Sequence, residues 1–361
     1  MDIQILPEGP LALSLSGGGS KGAYTVGILQ YLIEVKKRKE FKIIHGTSTG
    51  ALVGAMVGAM VVTGDPSYFY ELVKIYSQVQ TGDVLDPNYE LAYRAAGGGS
   101  TGELVVLGLT IANGGLSIYN SDPLLDLIDR FLTPDVWEKI INAGKENTSD
   151  LAHPIEIGFC ATNLQTGESE IITNRSHPDR DILRKALLAS ANQPVFMPPI
   201  QIDPNSTDQF VDGGLIDYNP IEKVLESDLI KEASAIVSIS LDTPGAASNP
   251  YIHQKVDTIF LRTLDILSTN IQNEDLTTAQ LWNILLKLKE QLTDTQWDIF
   301  KDNLHASSRN FIDKHLNNKN YIPIIQIYPE EAIKMDSLKF QQPDMKNLIK
   351  RGFKEAIKHL G

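Results

Sequence analysis

The sequence lacks the features that mark several classes of protein. It contains a single cysteine, Cys160, which excludes an intrachain disulfide and is compatible with a reducing compartment. Its longest apolar run, Ala51–Val62, has twelve residues, whereas a membrane-spanning helix needs about 20. Met1–Pro10 has no basic segment, so no signal peptide is expected. These absences predict a cytoplasmic or peripherally membrane-associated protein.

Basic residues are scarce relative to acidic ones. The chain has 32 lysines and arginines against 45 aspartates and glutamates, a net charge of −13. Such a surface repels phosphate backbones, so nucleic-acid binding is not expected, and purely electrostatic adhesion to anionic membranes is disfavoured. With 42% hydrophobic and 21% charged residues, the composition is that of a globular protein with a sizeable core.

Pairs of histidines or cysteines at metal-ligand spacing are also missing. Metal sites built from these residues usually draw two ligands from one short segment. We therefore expect no metal and no cofactor, with calcium independence as the corollary.

A strand, a tight turn and a helix occur in this order twice near the start of the sequence. Leu11–Ser16 is a short apolar strand that leads into Gly17–Gly22 and a helix from Ala23. Phe41–Ile44 is a second strand, followed by Gly46–Gly50 and an apolar helix. This βαβα order predicts an α/β fold, a three-layer α/β/α arrangement around a central, mainly parallel sheet.

The remaining chain is predicted to complete one domain over residues 1–361. The pattern indicates a loop or lid segment at Gly97–Gly102, and a helical insertion or subdomain over about 251–318. A final strand and helix follow within 322–361. Further strands are expected at Pro154–Thr162, Glu168–Thr173, Phe210–Val211 and Ala235–Leu241.

The first motif that could carry chemistry is the glycine-rich loop Ser16–Gly22. Glycines let a backbone approach a ligand, and the free amides of the following helix favour negative charge. The loop could therefore hold a phosphate or an oxyanion. Gly17, Gly19 and Gly22 also fit a dinucleotide fingerprint, but that site needs an acidic residue at the end of the second strand, and none stands there.

The second motif, Gly46-Thr47-Ser48-Thr49-Gly50, lies at the end of that second strand. A nucleophile that projects from a sharp strand-to-helix turn needs small residues two positions to either side, here Gly46 and Gly50. The alternative is an ordinary serine at a helix N-terminus. The strand, turn and helix around Ser48 favour a nucleophile.

The third motif is Asp212-Gly213-Gly214, which follows a short apolar strand. A carboxylate here could accept a proton from a serine or orient a base. Taken alone, Asp212 followed by Gly213 and Gly214 is better explained as a β-turn.

Taken together, the three motifs resemble those of the patatin-like phospholipases, in the order and spacing of that family. The resemblance covers residues 11–241. It is supported by Ala189-Ser190-Ala191 with the prolines that follow, by Ala161–Glu168 and by Asn219-Pro220. The sequence departs from the family pattern at Ser16, where some members have aspartate, and at Tyr218, where asparagine is common.

This resemblance implies a serine lipid acyl hydrolase with a Ser–Asp dyad and an acyl-enzyme intermediate. Ser48 would attack the ester carbonyl and Asp212 would activate it. The oxyanion hole would be formed around Gly17, Gly18 and Gly19, with Lys21 and Gly22 supporting the loop. The implied partner is a phospholipid or another acyl lipid at a membrane or micelle surface.

Several alternatives stay open at this stage. An acyltransferase or a non-specific esterase would use the same site, and a nucleotide-binding protein would use Gly17–Gly22 without hydrolysis. A lipid-binding relative without activity is a further possibility. His253, His305, His315 and His359 follow Asp212, so a Ser–Asp–His order is compatible with the chain. His45 is expected to be a packed strand residue. The amphipathic last helix could lie on a membrane or pack on the sheet.

Overall fold

Short buried runs of aliphatic residues form the strands of the sheet. The computed structural model describes residues 3–146, 154–243, 256–316 and 319–361. Every residue of the first strand, Leu11–Leu15, is buried, as expected for a strand covered on both faces. The strands are β1 (Leu11–Leu15), β2 (Phe41–Thr47), β3 (Asp86–Pro87), β4 (Tyr119–Asn120), β5 (Glu156–Asn163), β6 (Ser169–Thr173), β7 (Phe210–Asp212), β8 (Ala235–Ile239) and β9 (Ile324–Ile327).

Helices connect most of these strands. Several begin at residues that sequence rules favour, such as Pro134 in the first turn of its helix. The helices are α1 (Gly22–Gln30), α2 (Thr49–Thr63), α3 (Ser67–Gln78), α4 (Glu90–Ala95), α5 (Gly99–Ala112), α6 (Asp122–Phe131), α7 (Pro134–Ala143), α8 (Arg180–Ala191), α9 (Ile221–Glu226), α10 (Val256–Gln291), α11 (Asp294–Asp302), α12 (Ala306–His315) and α13 (Gln342–Leu360).

The main sheet is mostly parallel, as predicted. Within the described residues its strand order is β6-β5-β2-β1-β8-β9, and β7 pairs with β5. The four central contacts, β5–β2, β2–β1, β1–β8 and β8–β9, are parallel. β6 and β7 are antiparallel to β5. β1 and β2 therefore lie at the centre of the sheet, and the two turns that follow them meet at its carboxyl edge.

Alternate side chains of the central strands enter two separate apolar clusters. Leu11, Leu13 and Leu15 of β1 pack into the larger cluster, together with side chains of α1, α2, α3, α7, α8 and α13. Ala12 of β1 packs into the second cluster, with side chains of α9, α10, α11 and α12. This alternation gives the predicted three layers, and the second cluster includes the predicted helical C-terminal region.

The last helix, α13, packs inside the protein instead of lying free for a membrane. Tyr24 of α1 donates a hydrogen bond of 2.7 Å from its hydroxyl to Glu355, and the rings of Tyr31 and Phe353 meet edge to face. Met345 and Leu348 are buried. The helix therefore packs within the fold, although its main neighbours are α1 and α3 instead of the predicted sheet.

The loop prediction for Gly97–Gly102 is wrong over most of its length, because α5 begins at Gly99. Glycine disfavours a helix by about 1 kcal/mol per residue. Here that cost is offset by packing, since Gly102 lies against the ring of Tyr93 and Val106 is fully buried.

Candidate active site

Ser48 lies in a strained turn between β2 and α2. Its backbone has φ 55° and ψ −123°, a conformation that residues with a side chain rarely adopt. A Cβ atom on Gly46 would lie 2.3 Å from the backbone of Gly50, and one on Gly50 would lie 2.2 Å from the carbonyl oxygen of Leu15. The turn can therefore be this tight only with glycine at both positions, which is the geometry of a nucleophile elbow.

The turn is braced by Ser190, near the end of α8. The backbone N–H of Ser48 donates to Ser190 Oγ at 3.0 Å, and Ser190 Oγ donates to the carbonyl oxygen of Cys160 at 2.6 Å. Ser190 is completely buried. The sequence pattern included Ser190 but gave it no role. A hydroxyl in an apolar stretch of helix was the available signal that it has a buried partner.

Asp212 ends β7 and faces the same turn. Its N–H donates to the carbonyl oxygen of Asn192 at 2.9 Å, and the N–H of Gly214 donates to Asp212 Oδ1 at 2.8 Å. Burial raises the pKa of Asp212 to about 6, while hydrogen bonds from the Ser48 hydroxyl and the Gly214 amide partly oppose that rise. The structure thus brings Ser48 and Asp212, far apart in the sequence, close enough for the Ser48 hydroxyl to lower the pKa of the Asp212 carboxyl.

The glycine-rich loop runs beside Ser48. A Cβ atom on Gly17 would lie 3.3 Å from Cβ of Ser48. The N–H of Gly17 donates to the carbonyl oxygen of Tyr218 at 2.9 Å. Gly18 and Gly19 have φ values of 147° and 56°, and within the described part of the chain their amides have no hydrogen-bond acceptor.

Lys21 and Gly22 anchor this loop. Lys21 Nζ lies 3.0 Å from Asp242 Oδ1, and both side chains are buried. Because a buried charge is costly without its partner, this ion pair holds the loop against the segment that follows β8. A Cβ atom on Gly22 would lie 2.2 Å from Oγ1 of Thr49, so α1 approaches the turn of Ser48 closely.

The turn after Asp212 is held by Asn219. Its side chain accepts a hydrogen bond from Ser14 Oγ at 2.5 Å and donates to Ser238 and Ser240 at 3.0 Å each. Its backbone N–H donates to Asp275 Oδ2 of α10 at 2.9 Å. Asn219 therefore joins the Asp212 turn to β1, to β8 and to the helical region, a role that the sequence motif Asn219-Pro220 left unassigned.

The described histidines have partners elsewhere. His45 is completely buried within β2 and its Nε2 lies 2.8 Å from Glu156, which confirms it as a packed strand residue. His305 interacts with Ser307, His315 with Glu226, and His359 with the ring of Tyr328. Among histidines in the described ranges, none forms a hydrogen bond with Ser48 or Asp212. His253 lies outside the described residues.

The described residues contain neither a metal-binding cluster nor a membrane-spanning helix. Over residues 3–146, 154–243, 256–316 and 319–361, no group of three or more His, Cys, Asp or Glu side chains is placed to hold a metal ion. Over the same ranges, no helix has both the length and the apolar character to cross a bilayer.

The mostly parallel sheet, with a serine at a strained strand-to-helix turn, defines an α/β protein with hydrolase-like site geometry. The model of the patatin-like phospholipase family matches residues 13–225, more than half of the chain. The chain belongs to the patatin-like phospholipase family.

The similarity to an individual curated protein is lower than the match to the family as a whole suggests. The cGAMP-activated phospholipase of Escherichia coli (strain TW11681) is 28% identical over 225 residues, which are 58% of this chain and 52% of the relative. The chain thus spans about half the length of the curated relative that it matches.

Two solved structures are also similar in fold. VipD from Legionella pneumophila has a TM-score of 0.40 at 15% identity, over 99% of this chain and 67% of that one. The type III effector ExoU has a TM-score of 0.39 at 15% identity, over 98% and 53%. These scores are too low to bear on the activity of this chain.

Proposed function

We propose that the chain is a serine lipid acyl hydrolase that cleaves carboxylic esters of phospholipids or lysophospholipids, with Ser48 and Asp212 as its catalytic dyad. The observation that carries the proposal is that Ser48, through Ser190, and Asp212 are both held against β5, with the Asp212 carboxyl buried and its pKa lowered by the Ser48 hydroxyl. The amides of Gly18 and Gly19 lie in the adjacent loop and have no acceptor among the described residues. Nucleophile, base and oxyanion donors are the three groups that acyl transfer requires.

In the first half of the proposed reaction, Ser48 Oγ attacks the ester carbonyl carbon while Asp212 accepts the hydroxyl proton. The carbonyl oxygen gains negative charge, which the N–H groups of Gly18 and Gly19 stabilise. The Gly17 amide, which the sequence resemblance also implied, donates to Tyr218 and is therefore left out of the proposed hole. The intermediate collapses, the ester C–O bond breaks, and Asp212 returns the proton to the leaving alkoxide.

In the second half, water attacks the acyl group on Ser48. Asp212 accepts the water proton and the oxyanion forms again at Gly18 and Gly19. The bond between the acyl carbon and Ser48 Oγ then breaks, Asp212 returns the proton to Ser48 Oγ, and the fatty acid is released. A pKa near 6 suits this role, because Asp212 is then mostly ionised at neutral pH and still basic enough to accept a proton.

The alternatives from the sequence differ in what the site must do. An acyltransferase would keep both half-reactions and replace water by another acceptor, so product analysis in the presence of added alcohols separates it from a hydrolase. A dinucleotide at Gly17–Gly22 is disfavoured, because the loop lies against Ser48 and Lys21 is paired with Asp242.

We also propose that residues 1–361 form one domain, since both apolar clusters flank the same sheet.

Labelling with a fluorophosphonate probe tests the proposal. The wild type should be labelled, Ser48→Ala should not, and Asp212→Asn should react far more slowly. Ser67→Ala, at an exposed serine of α3, is a matched control that should label normally. Labelling that survives in Ser48→Ala would overturn the nucleophile assignment. Because the relative is described as cGAMP-activated, the assay includes arms with and without cGAMP.

A further inference from the structure

One face of α5 is uncharged and open to solvent. Its buried positions, Gly102, Val106 and Thr110, recur every four residues and point into the protein. The exposed positions between them lie on the opposite side of the helix. They are Thr101, Leu104, Val105, Gly108, Ile111 and Ala112. Leu104 is 47% exposed and Ile111 is 72% exposed. A helix that is apolar on nearly all sides is normally buried. In α5, by contrast, one apolar face is exposed to solvent.

The charge around α5 is as unusual as its apolar surface. Between Ala95 and Asn120 the sequence has one charged residue, Glu103, in a chain of net charge −13. The hydroxyl of Tyr119 donates to Glu103 at 2.8 Å, so that carboxylate is engaged within the protein. An acidic protein is repelled by anionic headgroups over most of its surface. This face is one that can approach phospholipid without that repulsion.

The apolar surface continues from α5 toward the turn that carries Asp212. The N–H of Ile118, just after exposed Leu116, donates to the carbonyl oxygen of Val195 at 3.0 Å. Val195 is 43% exposed and has φ 72°, a conformation that β-branched residues avoid. Three residues earlier, the carbonyl oxygen of Asn192 accepts the N–H of Asp212. The segment after α5 is thus connected to the candidate base through one short loop.

Two further apolar side chains stand on the Asp212 turn itself. Leu215 and Ile216 follow Gly213-Gly214 directly and are 44% and 38% exposed. α10 packs against both α5 and the turn Gly213–Leu215, so one helix links the two elements. We call the exposed side chains of Leu104, Val105, Ile111, Leu116, Val195 and Leu215 the apolar face.

We infer that the apolar face docks on the surface of a phospholipid bilayer or micelle and presents the Ser48 site to the lipid. The inference rests on the proposed acyl hydrolase function, because substrate then resides in that surface. α5 has 14 residues and is about 21 Å long, too short to cross a hydrocarbon core of about 30 Å. The helix would therefore lie in the plane of the interface, with its apolar face toward the acyl chains.

A lipid surface fits this face better than a permanent protein partner. The face borders the turn that carries Asp212, so a protein that covered it at all times would stand between Ser48 and a lipid substrate. The contact proposed here is transient and is driven by apolar burial, because the face has no cationic side chain with which to bind anionic headgroups.

Flotation with phosphatidylcholine vesicles tests the docking without requiring catalysis. All proteins carry Ser48→Ala. The test variant adds Leu104→Gln and Ile111→Gln, and the matched control adds Leu281→Gln and Ile284→Gln, which are 55% and 63% exposed on α10. Vesicle affinity should fall about tenfold or more in the test variant only, and binding should persist in high salt. Equal affinities in the two variants would overturn the inference.

A second assay uses the same pairs of substitutions in the chain with Ser48 intact. The ratio of activity on vesicles to activity on a soluble short-chain ester should fall about tenfold for Leu104→Gln with Ile111→Gln, and stay constant in the control. An unchanged ratio would overturn the inference. So would a dimer that only the test variant dissociates, with vesicle binding unaltered, because a second copy would then be the occupant. Absence of all hydrolysis would contradict the proposed function, while flotation still decides the docking.

Discussion

The backbone N–H of Ser48 donates a hydrogen bond to Ser190 Oγ at 3.0 Å. Through the same hydroxyl, Ser190 donates to Cys160 of β5, and the next residue of β5, Ala161, pairs with Asp212. The candidate nucleophile and the candidate base are therefore both positioned from one strand. Since the turn of Ser48 is strained, this connection holds it in a conformation that the turn alone would not keep.

Replacing Ser190 should weaken both stability and turnover. In Ser190→Ala the N–H of Ser48 and the carbonyl oxygen of Cys160 lose their common partner inside the protein, which costs about 1–3 kcal/mol. We expect a lower free energy of unfolding in urea and a kcat that falls more than KM changes. Ser67→Ala on the surface of α3 should match the wild type in both. A Ser190→Ala protein of unchanged stability would refute the bracing role.

The raised pKa of Asp212 predicts an acid limb in the activity profile. The base must be ionised, so kcat/KM should rise about tenfold per pH unit below about 6 and level off above it. Burial disfavours the Asp212 carboxylate, so the same shift in pKa lowers the free energy of unfolding as pH rises from the unfolded pKa of Asp212 toward 6. Measuring kcat/KM on a soluble ester over pH 4–9 checks this. A midpoint near 7 that Asp212→Asn leaves in place would favour a histidine base.

The tight turn at Ser48 should not accept a side chain at Gly46. In Gly46→Ala the new Cβ would meet the backbone of Gly50 at 2.3 Å, and neither strand nor helix can move far inside the core. We expect a loss of about 3 kcal/mol or more in the free energy of unfolding, and loss of fluorophosphonate labelling. Gly82→Ala is the control, because no atom lies within 4 Å of its added Cβ. Normal labelling of Gly46→Ala would contradict the elbow geometry.

The parts of the site that the sequence predicted are those encoded locally. A strand, a small-residue turn and a helix are all readable within a few residues of Ser48, and the parallel sheet follows from their repetition. The role of Ser190 depends on a contact 142 positions away in the chain, and the Gly17–Tyr218 hydrogen bond is longer in range still. No periodicity in the sequence encodes such contacts.

At the start of α5 a local prediction was wrong because tertiary packing overrides it. Local propensity correctly rates Gly97–Gly102 as a poor helix former. Packing of Gly102 on Tyr93 and burial of Val106 outweigh that propensity, and neither contact is visible in composition. The apolar face also follows from this helix, because a loop would not have aligned Leu104 and Ile111 on one side.

Asp275 should make the protein less stable as pH rises. Burial raises its pKa to about 8, nearby Asp217 and Glu222 add to the rise, and the Asn219 N–H opposes it. The folded state favours the protonated form of Asp275. Its contribution to the free energy of unfolding is therefore fully present below the unfolded pKa and is lost as pH rises through about 8. In Asp275→Asn that titration is absent, while an amide oxygen can still accept the Asn219 N–H.

Urea unfolding at about pH 6 and pH 9 measures this effect. Between these pH values the wild type should lose about 3 kcal/mol more than Asp275→Asn, a figure that follows from a folded pKa near 8. Groups other than Asp275 titrate equally in both proteins and cancel in the comparison. Parallel losses in the two proteins would mean that Asp275 is ionised in the folded state, and the Asn219 contact would then be charge-assisted.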